Sequence, residues 1–442
     1  MLEAIKLKRK EKIVFRQEED AGILFNPENG RINLLNSTAK FIWLLLDGTY
    51  TRHEIIKEIL AKFKVEDEKR IEQDFDSFLR VLSEQGFLET ELPPKVSALT
   101  NVCFGITSRC NFSCKHCLNR GIPAYQDDLT TEELLKVIDQ MKEIGVKSLS
   151  LFGGEPLLQP DFKKIVEYIN KAGISISLNT NATLVDRPMA KWLKAHKING
   201  AVVSFDGSSS KVMDRIRGEG AFINCLKGIS ALVTEGLSVL LSVTLNKINY
   251  QDIRNMVLLG KKIGASSIRF NHVFFGGNAT CYLKEIYLSP KEEKQAIEAV
   301  WQAKEEFGDF INPSSSYLCQ KKKLEEVHKH KPVEDKIIVY PCGAASNKCA
   351  IRPDGWVVPC EIIWEVKAGN LREKSLKEIW YNSEVMQAFR KPLEINLDEI
   401  PECKGCLYQY LCFHGHRCYP YYYPGGIKNR ALYCWLNKEK EE

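Results

Sequence analysis

The chain has 442 residues, 44% of them apolar and 27% charged, a length that calls for two or three packed domains. Its 62 Lys and Arg against 57 Asp and Glu leave a formal net charge of +5, too thin an excess to argue for nucleic acid as a partner. The longest notable apolar run is Phe41–Leu46, far short of the roughly 20 residues that span a bilayer. The charged opening Met1–Lys8 lacks the apolar core of a signal peptide, so the expectation is a cytoplasmic protein with no membrane partner.

From residue 1 to about 92 the pattern begins with short strands, Ile13–Arg16, Gly22–Phe25 and, after the turn cluster Asn26–Gly30, Arg31–Leu35. The period then changes. Phe41, Leu44 and Leu45 recur at helical spacing behind Asn36-Ser37-Thr38, which are good caps. Thr51-x-x-Glu54 is a capping box for a second helix carrying Ile55, Ile56, Ile59 and Leu60. A third helix carries Ile71, Phe75, Phe78, Leu79 and Leu82 and ends at Gly86, with a last strand expected at Phe87-Leu88. This is a winged-helix α+β pattern, and Glu91-Leu92-Pro93-Pro94 is its linker.

From about 100 to 310, six strands alternate with helices: Asn101–Ile106, Ser148–Phe152, Ile174–Leu178, Gly200–Phe205, Ser238–Leu245 and Ser267–Phe270. Helix starts include Thr130-x-x-Glu133, Tyr250 and Ser289-Pro290-x-Glu292. Six such units imply a parallel, right-handed α/β sheet, either a partial (β/α)6 barrel or an open sheet, with its active site at the carboxyl ends of the strands. From about 312 to 442 the chain is rich in Cys, Pro, Gly and Tyr with little helical period, so metal is the expected staple there. Ile351–Cys360 reads as a hairpin with Asp354-Gly355 at its turn.

Fifteen cysteines without a secretion signal point to metal or redox chemistry rather than disulfides. Cys110-x3-Cys114-x2-Cys117 follows directly on the first strand of the middle region. Three thiolates on one short loop can hold three irons of a [4Fe–4S] cluster and leave the fourth open. An open iron can take the amino and carboxylate groups of S-adenosylmethionine (SAM), and one electron then releases a 5′-deoxyadenosyl radical, chemistry that belongs to the cofactor. Taken alone, the spacing with His116 also fits a Cys3His zinc site. The second strand ends in Gly153-Gly154-Glu155-Pro156, where glycine permits close approach of backbone to a ligand.

Residues 100–310 resemble the radical SAM superfamily through these two motifs, supported by Asn179-Thr180-Asn181 and Ser204-Phe205-Asp206-Gly207 after strands three and four. The resemblance implies a SAM-binding cluster on Cys110, Cys114 and Cys117. It implies SAM contacts at Gly153, Gly154, Glu155 and Pro156, at Ser204 and Arg217 for ribose and carboxylate, and at Asn246 after strand five. Arg217 reads by itself as a surface arginine too. Residues 312–442 resemble the SPASM iron–sulfur domain through Gly355-x4-Cys360 and Cys403-x2-Cys406-x5-Cys412; the next cysteine, Cys418, comes after five residues where that family usually has three. Two auxiliary [4Fe–4S] clusters are implied, one on Cys342, Cys349, Cys360 and Cys418, the other on Cys403, Cys406, Cys412 and Cys434. Without Cys349 the first would have an open iron, and zinc knuckles are the alternative for the whole segment. Cys103, Cys225, Cys281 and Cys319 read as small apolar residues.

Residues 1–92 resemble the leader-recognition domain of ribosomal peptide pathways, related to the peptide chaperone of pyrroloquinoline quinone synthesis, through Ile32–Thr38 and Gly86-Phe87-Leu88. Such a domain adds a precursor's leader as a strand at a sheet edge, here between Arg31–Leu35 and the third helix. A DNA-binding winged helix is the rival, opposed by Asp67, Glu68, Glu72, Asp74 and Asp76 on that helix. Joined, the three resemblances imply a radical SAM oxidoreductase that crosslinks a precursor peptide, as a Cys thioether in the first place, fed by an external electron donor of flavodoxin or ferredoxin type. Carbon–carbon crosslinking, epimerisation and formylglycine formation are the enzymatic alternatives, and an iron–sulfur DNA sensor is the non-enzymatic one. No residue is marked as a catalytic base.

Overall fold

The computed structural model describes residues 6–19, 21–28, 30–63, 67–90, 98–119, 127–274, 276–312, 314, 337–340, 343–390 and 393–396. The chain divides into two compact units, Met1–Lys95 and Val96–Glu442.

The first unit runs β1 (Lys6–Lys8), β2 (Val14–Gln17), β3 (Gly22–Phe25), β4 (Ile32–Leu35), α1 (Ser37–Leu45), β5 (Asp47–Thr51), α2 (Arg52–Phe63) and α3 (Glu68–Glu84). Strands β2, β3 and β4 form an antiparallel sheet in that order, and β1 pairs with β5. Asn36 caps α1 by accepting from the Ala39 N–H at 2.8 Å. The Glu54 carboxylate reaches back to the Thr51 N–H at 2.7 Å, so both sequence caps form. Trp43, Ile55, Ile56, Ile59, Phe75, Leu79 and Leu82 make the core. Two details differ from the sequence reading. Phe87-Leu88 makes only a bridge from Leu88 to Arg9, and β1 with β5 forms a second small sheet. Asp47-Gly48-Thr49 has turn composition, and its pairing is decided by Leu7, which is fully buried.

In the second unit six strands run parallel in sequential order: β6 (Asn101–Gly105), β7 (Ser148–Phe152), β8 (Ser175–Thr180), β9 (Ile198–Ser204), β10 (Ser238–Leu245) and β11 (Ser267–His272). Helices between and after them are capped as expected: Thr130 and Glu133 form both halves of a capping box, as do Ser289 and Glu292 beyond β11. Strand alternation sorts the sheet into two faces. Val102, Phe104, Leu149, Leu151, Ile176, Leu178, Val203, Leu241, Val243 and Phe270 pack into the core with the helices. The opposite, inner face carries half-buried polar side chains: Cys103, Ser150, Ser177, Asn179, Ser204, Ser242, Thr244, Arg269 and Asn271. Glu361 acts on Cys103 of β6 and on Arg269 of β11, at the two ends of the row of six, so the sheet curls as a partial barrel around a polar interior.

β12 (Ile337–Tyr340) pairs with a later strand, Leu393–Asn396. β13 (Lys348–Ile351) then adds parallel to the free edge of β6, and β14 (Trp356–Val358) and β15 (Gly369–Asn370) continue the sheet antiparallel. The Asp354-Gly355 turn forms, with Gly355 at φ +84°, a conformation glycine adopts without strain. The expectation of little helix from 312 onward needs correction over residues 376–390. Helices Leu376–Asn382 and Glu384–Arg390 form. Leu376, Ile379, Trp380, Met386 and Phe389 join the barrel's own core, so this stretch borrows an apolar surface that its own sequence does not supply.

Candidate active site

The cysteine loop leaves the carboxyl end of β6 and is held from every side by side chains the sequence motifs do not include. Thr107 and Ser108, just before it, give their hydroxyls and the Ser108 N–H to one oxygen of Asp128 at 2.8 to 3.2 Å. Asn278, beyond β11, clamps the loop twice: its N–H donates to the Cys117 carbonyl at 2.9 Å, and its Nδ2 to the Cys114 carbonyl at 3.0 Å. Cys114 is buried, and Cys110 and Cys117 are half-buried.

The loop after β7 is pressed against the start of the cysteine loop. Gly154 N–H donates to the Thr107 carbonyl at 2.8 Å and Glu155 N–H to the Arg109 carbonyl at 2.7 Å. A Cβ on Gly153 would lie 2.2 Å from the Thr107 oxygen, and one on Gly154 2.2 Å from the Arg109 oxygen. The two glycines are therefore required by protein against protein, a reason the sequence reading did not contain. The Gly153 carbonyl accepts from Asn119 Nδ2 at 2.8 Å. Glu155 is buried and ties this loop to the end of β8, accepting from the Thr180 hydroxyl and the Asn181 N–H, both at 2.7 Å. Burial raises its pKa, against those hydrogen bonds. Pro156 opens a short 3-10 turn.

Asp206, two residues past Ser204, is fully buried. Its carboxylate takes the Thr244 N–H at 2.8 Å and lies 2.6 Å from Arg217 Nη2 and 3.4 Å from His116 Nε2. Arg217 Nη1 in turn sits 3.6 Å from Cys114 Sγ. Burial acts to lower the Arg217 pKa, but Asp206 and Cys114 outweigh it and raise it; Arg217 is a buried cation beside a candidate ligand thiol, not a surface arginine. Burial holds His116 near pKa 4, neutral in spite of Asp206, and pushes the Cys114 thiol up to about 12. A cation next to a thiol favours the thiolate a metal needs, while His116 is engaged by Asp206. The donor set therefore fits an iron–sulfur cluster on three thiols better than a Cys3His zinc site.

The remaining sequence candidates divide. Ser204 lies on the inner face. Asn246 is fully buried, and its side chain closes its own turn, donating to the Thr244 carbonyl and accepting from the Ile248 N–H, both at 2.9 Å; the structure does not bring it to the cysteine loop. Cys349 lies on β13 in register with Val102, fully buried on the helix side. The Cys360 thiol donates to Glu361 Oε2 at 3.2 Å, and Lys348 Nζ holds that carboxylate at 3.2 Å. Cys103, read as an apolar filler, faces this pair. Cys225 is buried in the core, and Cys281 is exposed. Cys319, Cys342, Cys403, Cys406, Cys412, Cys418 and Cys434 lie outside the described residues. Asp206, Asn278, Asn119 and Asp128 were missed; only Asp206 had a signal, its place in Ser204–Gly207.

Three family models match the chain: the radical SAM superfamily over residues 104–260, coenzyme PQQ synthesis protein D over 22–88, and the iron–sulfur cluster-binding SPASM domain over 342–407. This protein is a radical SAM/SPASM enzyme with an amino-terminal PqqD-like domain. Iron–sulfur clusters and SAM are its cofactors. An AdoMet-dependent heme synthase of Methanosarcina barkeri is 29% identical over 351 residues, 76% of this chain and 97% of that protein. A PqqA peptide cyclase of Xanthomonas oryzae is 26% identical over 342 residues, 74% of this chain and 84% of that protein. Among solved structures, SuiB of Streptococcus suis bound to precursor peptide SuiA superposes with a TM-score of 0.61 at 18% identity, covering 97% of this chain and 100% of that one. Native anSMEcpe with bound AdoMet gives 0.59 at 20% identity, covering 77% and 95%. These two show the fold. Among the described residues no helix is long and apolar enough to cross a membrane.

Proposed function

We propose that this radical SAM/SPASM enzyme matures a ribosomally made precursor peptide and installs a crosslink, in the first place a Cys thioether. The observation that carries the reading is the edge of the first unit's sheet. Among the described residues β4 pairs only with β3, and its Ile32 and Leu34 are 65% and 74% exposed. An open strand edge with apolar side chains is a template for one more strand. Asn33 Nδ2 donates to Gln85 Oε1 at 2.9 Å, which fixes β4 against the end of α3. The acidic character of α3 is partly spent inside the unit, where Arg52 pairs with Asp76 at 2.8 Å and Glu72 at 3.6 Å, and its exposed acids still disfavour DNA.

In the barrel, Cys110, Cys114 and Cys117 would hold the SAM-binding cluster, and the loop Gly153–Pro156 with Ser204 would hold SAM. When bound, that pair supplies a radical able to take hydrogen from an unactivated carbon. The protein's part is to fix the thiols through Asn278 and Arg217, to keep Asp206 and His116 out of water, and to present a polar interior to the substrate. Cys342, Cys349, Cys360 and Cys418, and Cys403, Cys406, Cys412 and Cys434, would hold two auxiliary clusters, and electrons would come from a flavodoxin- or ferredoxin-type donor. The likeness to heme synthases supports a second reading, a tetrapyrrole substrate.

The deciding experiment is mass spectrometry of the neighbouring encoded precursor after incubation with enzyme, SAM and reductant, with thiol alkylation. Loss of two hydrogens with one thiol shielded is expected. Loss of two hydrogens with every thiol free means a carbon–carbon bond. Deuterium uptake without mass loss means epimerisation. Turnover of iron-coproporphyrin III with no change in any peptide overturns the peptide reading.

A further inference from the structure

Among the described residues, the inner face of the six strands carries one charged side chain, Arg269, which the site above does not use. Arg269 is the third residue of β11 and shares the inner face with Ser267 and Asn271. In register it lies beside Ser242 of β10, and Ser242 lies beside Ser204 of β9, one row across three strands. Arg269 Nη2 donates to Ser242 Oγ at 3.3 Å, and Asn271 Nδ2 donates to the same oxygen at 3.1 Å. Arg269 Nε is buried with no hydrogen-bond partner. Among the described residues no carboxylate lies within ion-pair distance of it. Glu361 attracts it from further away, but that carboxylate is held by Lys348 and Cys360.

Three other arginines each face a carboxylate. Arg52 faces Asp76, Arg217 faces Asp206, and Arg352 faces Asp354 at 2.7 Å. Arg390 likewise has a buried Nη1 with no hydrogen-bond partner and a pKa lowered by burial, but it donates to the carbonyls of Ala345 and Trp380 and lies on the helix Glu384–Arg390, off the inner face. Desolvation is the chief influence on Arg269 and lowers its pKa. A desolvated cation with an unused donor is costly to keep, and a ligand that brings its own anion removes the cost.

We propose that Arg269 receives a carboxylate of the substrate, its guanidinium fork matching a planar anion with two N–H donors. The proposal rests on the peptide reading, so the carboxylate is an Asp or Glu side chain or the carboxyl terminus of the peptide. Ser204, the candidate ribose contact, lies two strands away, about 10 Å at ordinary strand spacing. The anchor thus places a peptide segment within reach of the SAM position.

The test uses the full, cluster-loaded chain with Arg269→Gln and Arg269→Lys. Thermal unfolding of Arg269→Gln should occur at or above the wild-type temperature; a clear drop would make Arg269 a structural residue and overturn the proposal. SAM affinity by equilibrium dialysis should be unchanged; a tenfold loss would assign the arginine to the carboxylate of SAM instead. Synthetic precursor is then compared with versions in which each Asp or Glu becomes Asn or Gln, or the terminus an amide. Wild type should lose at least tenfold in kcat/KM on one replacement, and Arg269→Gln should be indifferent to that same one; independent losses overturn the pairing. Anisotropy of a labelled leader separates the two readings, because leader binding should survive Arg269→Gln. If iron-coproporphyrin III is turned over and no peptide is, the peptide reading fails. A tenfold rise in its KM in Arg269→Gln would then keep the carboxylate anchor with a propionate as source, and no rise would overturn it.

Discussion

β4 offers a partner its backbone, whereas the barrel mouth offers buried side chains already bound to one another. On β4 the polar groups are one edge of a ladder and the flanking Ile32 and Leu34 are exposed, so the folded unit does not depend on them. At the mouth, Asp206 is fully buried and Arg217 nearly so; Asp206 is held by Arg217 and the Thr244 N–H, and Arg217 lies between Asp206 and Cys114. Recognition through a strand edge tolerates many partner sequences because every residue carries the same N–H and C=O. Radical chemistry needs groups held in fixed places, and fixing them consumes polar partners in the protein.

The sharpest way to break this contrast is to remove the thiols. Replacing Cys110, Cys114 and Cys117 by Ala should abolish 5′-deoxyadenosine formation and remove about four irons per chain, read by chromatography and iron assay, while leader binding stays. Next comes the buried pair. Asp206→Asn leaves Arg217 uncompensated and should lower stability by roughly 3–5 kcal/mol in urea unfolding, with the first unit's transition unmoved. Gly154→Ala drives a Cβ into the Arg109 carbonyl; overpacking of this kind costs roughly 1–3 kcal/mol, and SAM affinity should fall with it.

A smaller effect is expected at β4. Leu34→Asp should change stability by less than about 0.5 kcal/mol, as exposed substitutions do, yet weaken leader binding at least tenfold in an anisotropy titration. Unchanged binding would move the leader elsewhere. The smallest effect concerns Arg372, whose Nε and Nη2 grip Glu133 at 2.7 and 3.0 Å. That hydrogen bond holds the Glu133 carboxyl near pKa 2. A depressed carboxyl stabilises the fold above its ordinary value of 4.5 and loses that contribution as pH falls toward 2. Arg372→Ala should therefore flatten the acid side of the stability profile between those values, by about 1 kcal/mol or less for so exposed a pair.

Much of this protein is legible from sequence because the signals are local. Each barrel strand falls within a few residues of its apolar run. Asn36, Thr51, Thr130 and Ser289 cap the helices their spacing announces, and the three thiols sit on the loop after the first strand. Apolar alternation and capping are set by neighbours in the chain, so one sequence suffices to read them. What tertiary structure alone decided are meetings between distant segments. Asn278 reaches the cysteine loop across 164 residues, and Arg372 reaches Glu133 across 239. Two glycines prove necessary because two loops touch. A hairpin from the cysteine-rich end finds the open edge of β6, and its following helices share the barrel's core. Arg269 looks like any strand arginine until the inner face shows it half-buried with no carboxylate at ion-pair distance. Partner identity in each case depends on which surfaces the folded chain brings within a few ångströms, and no periodicity in the sequence encodes that distance.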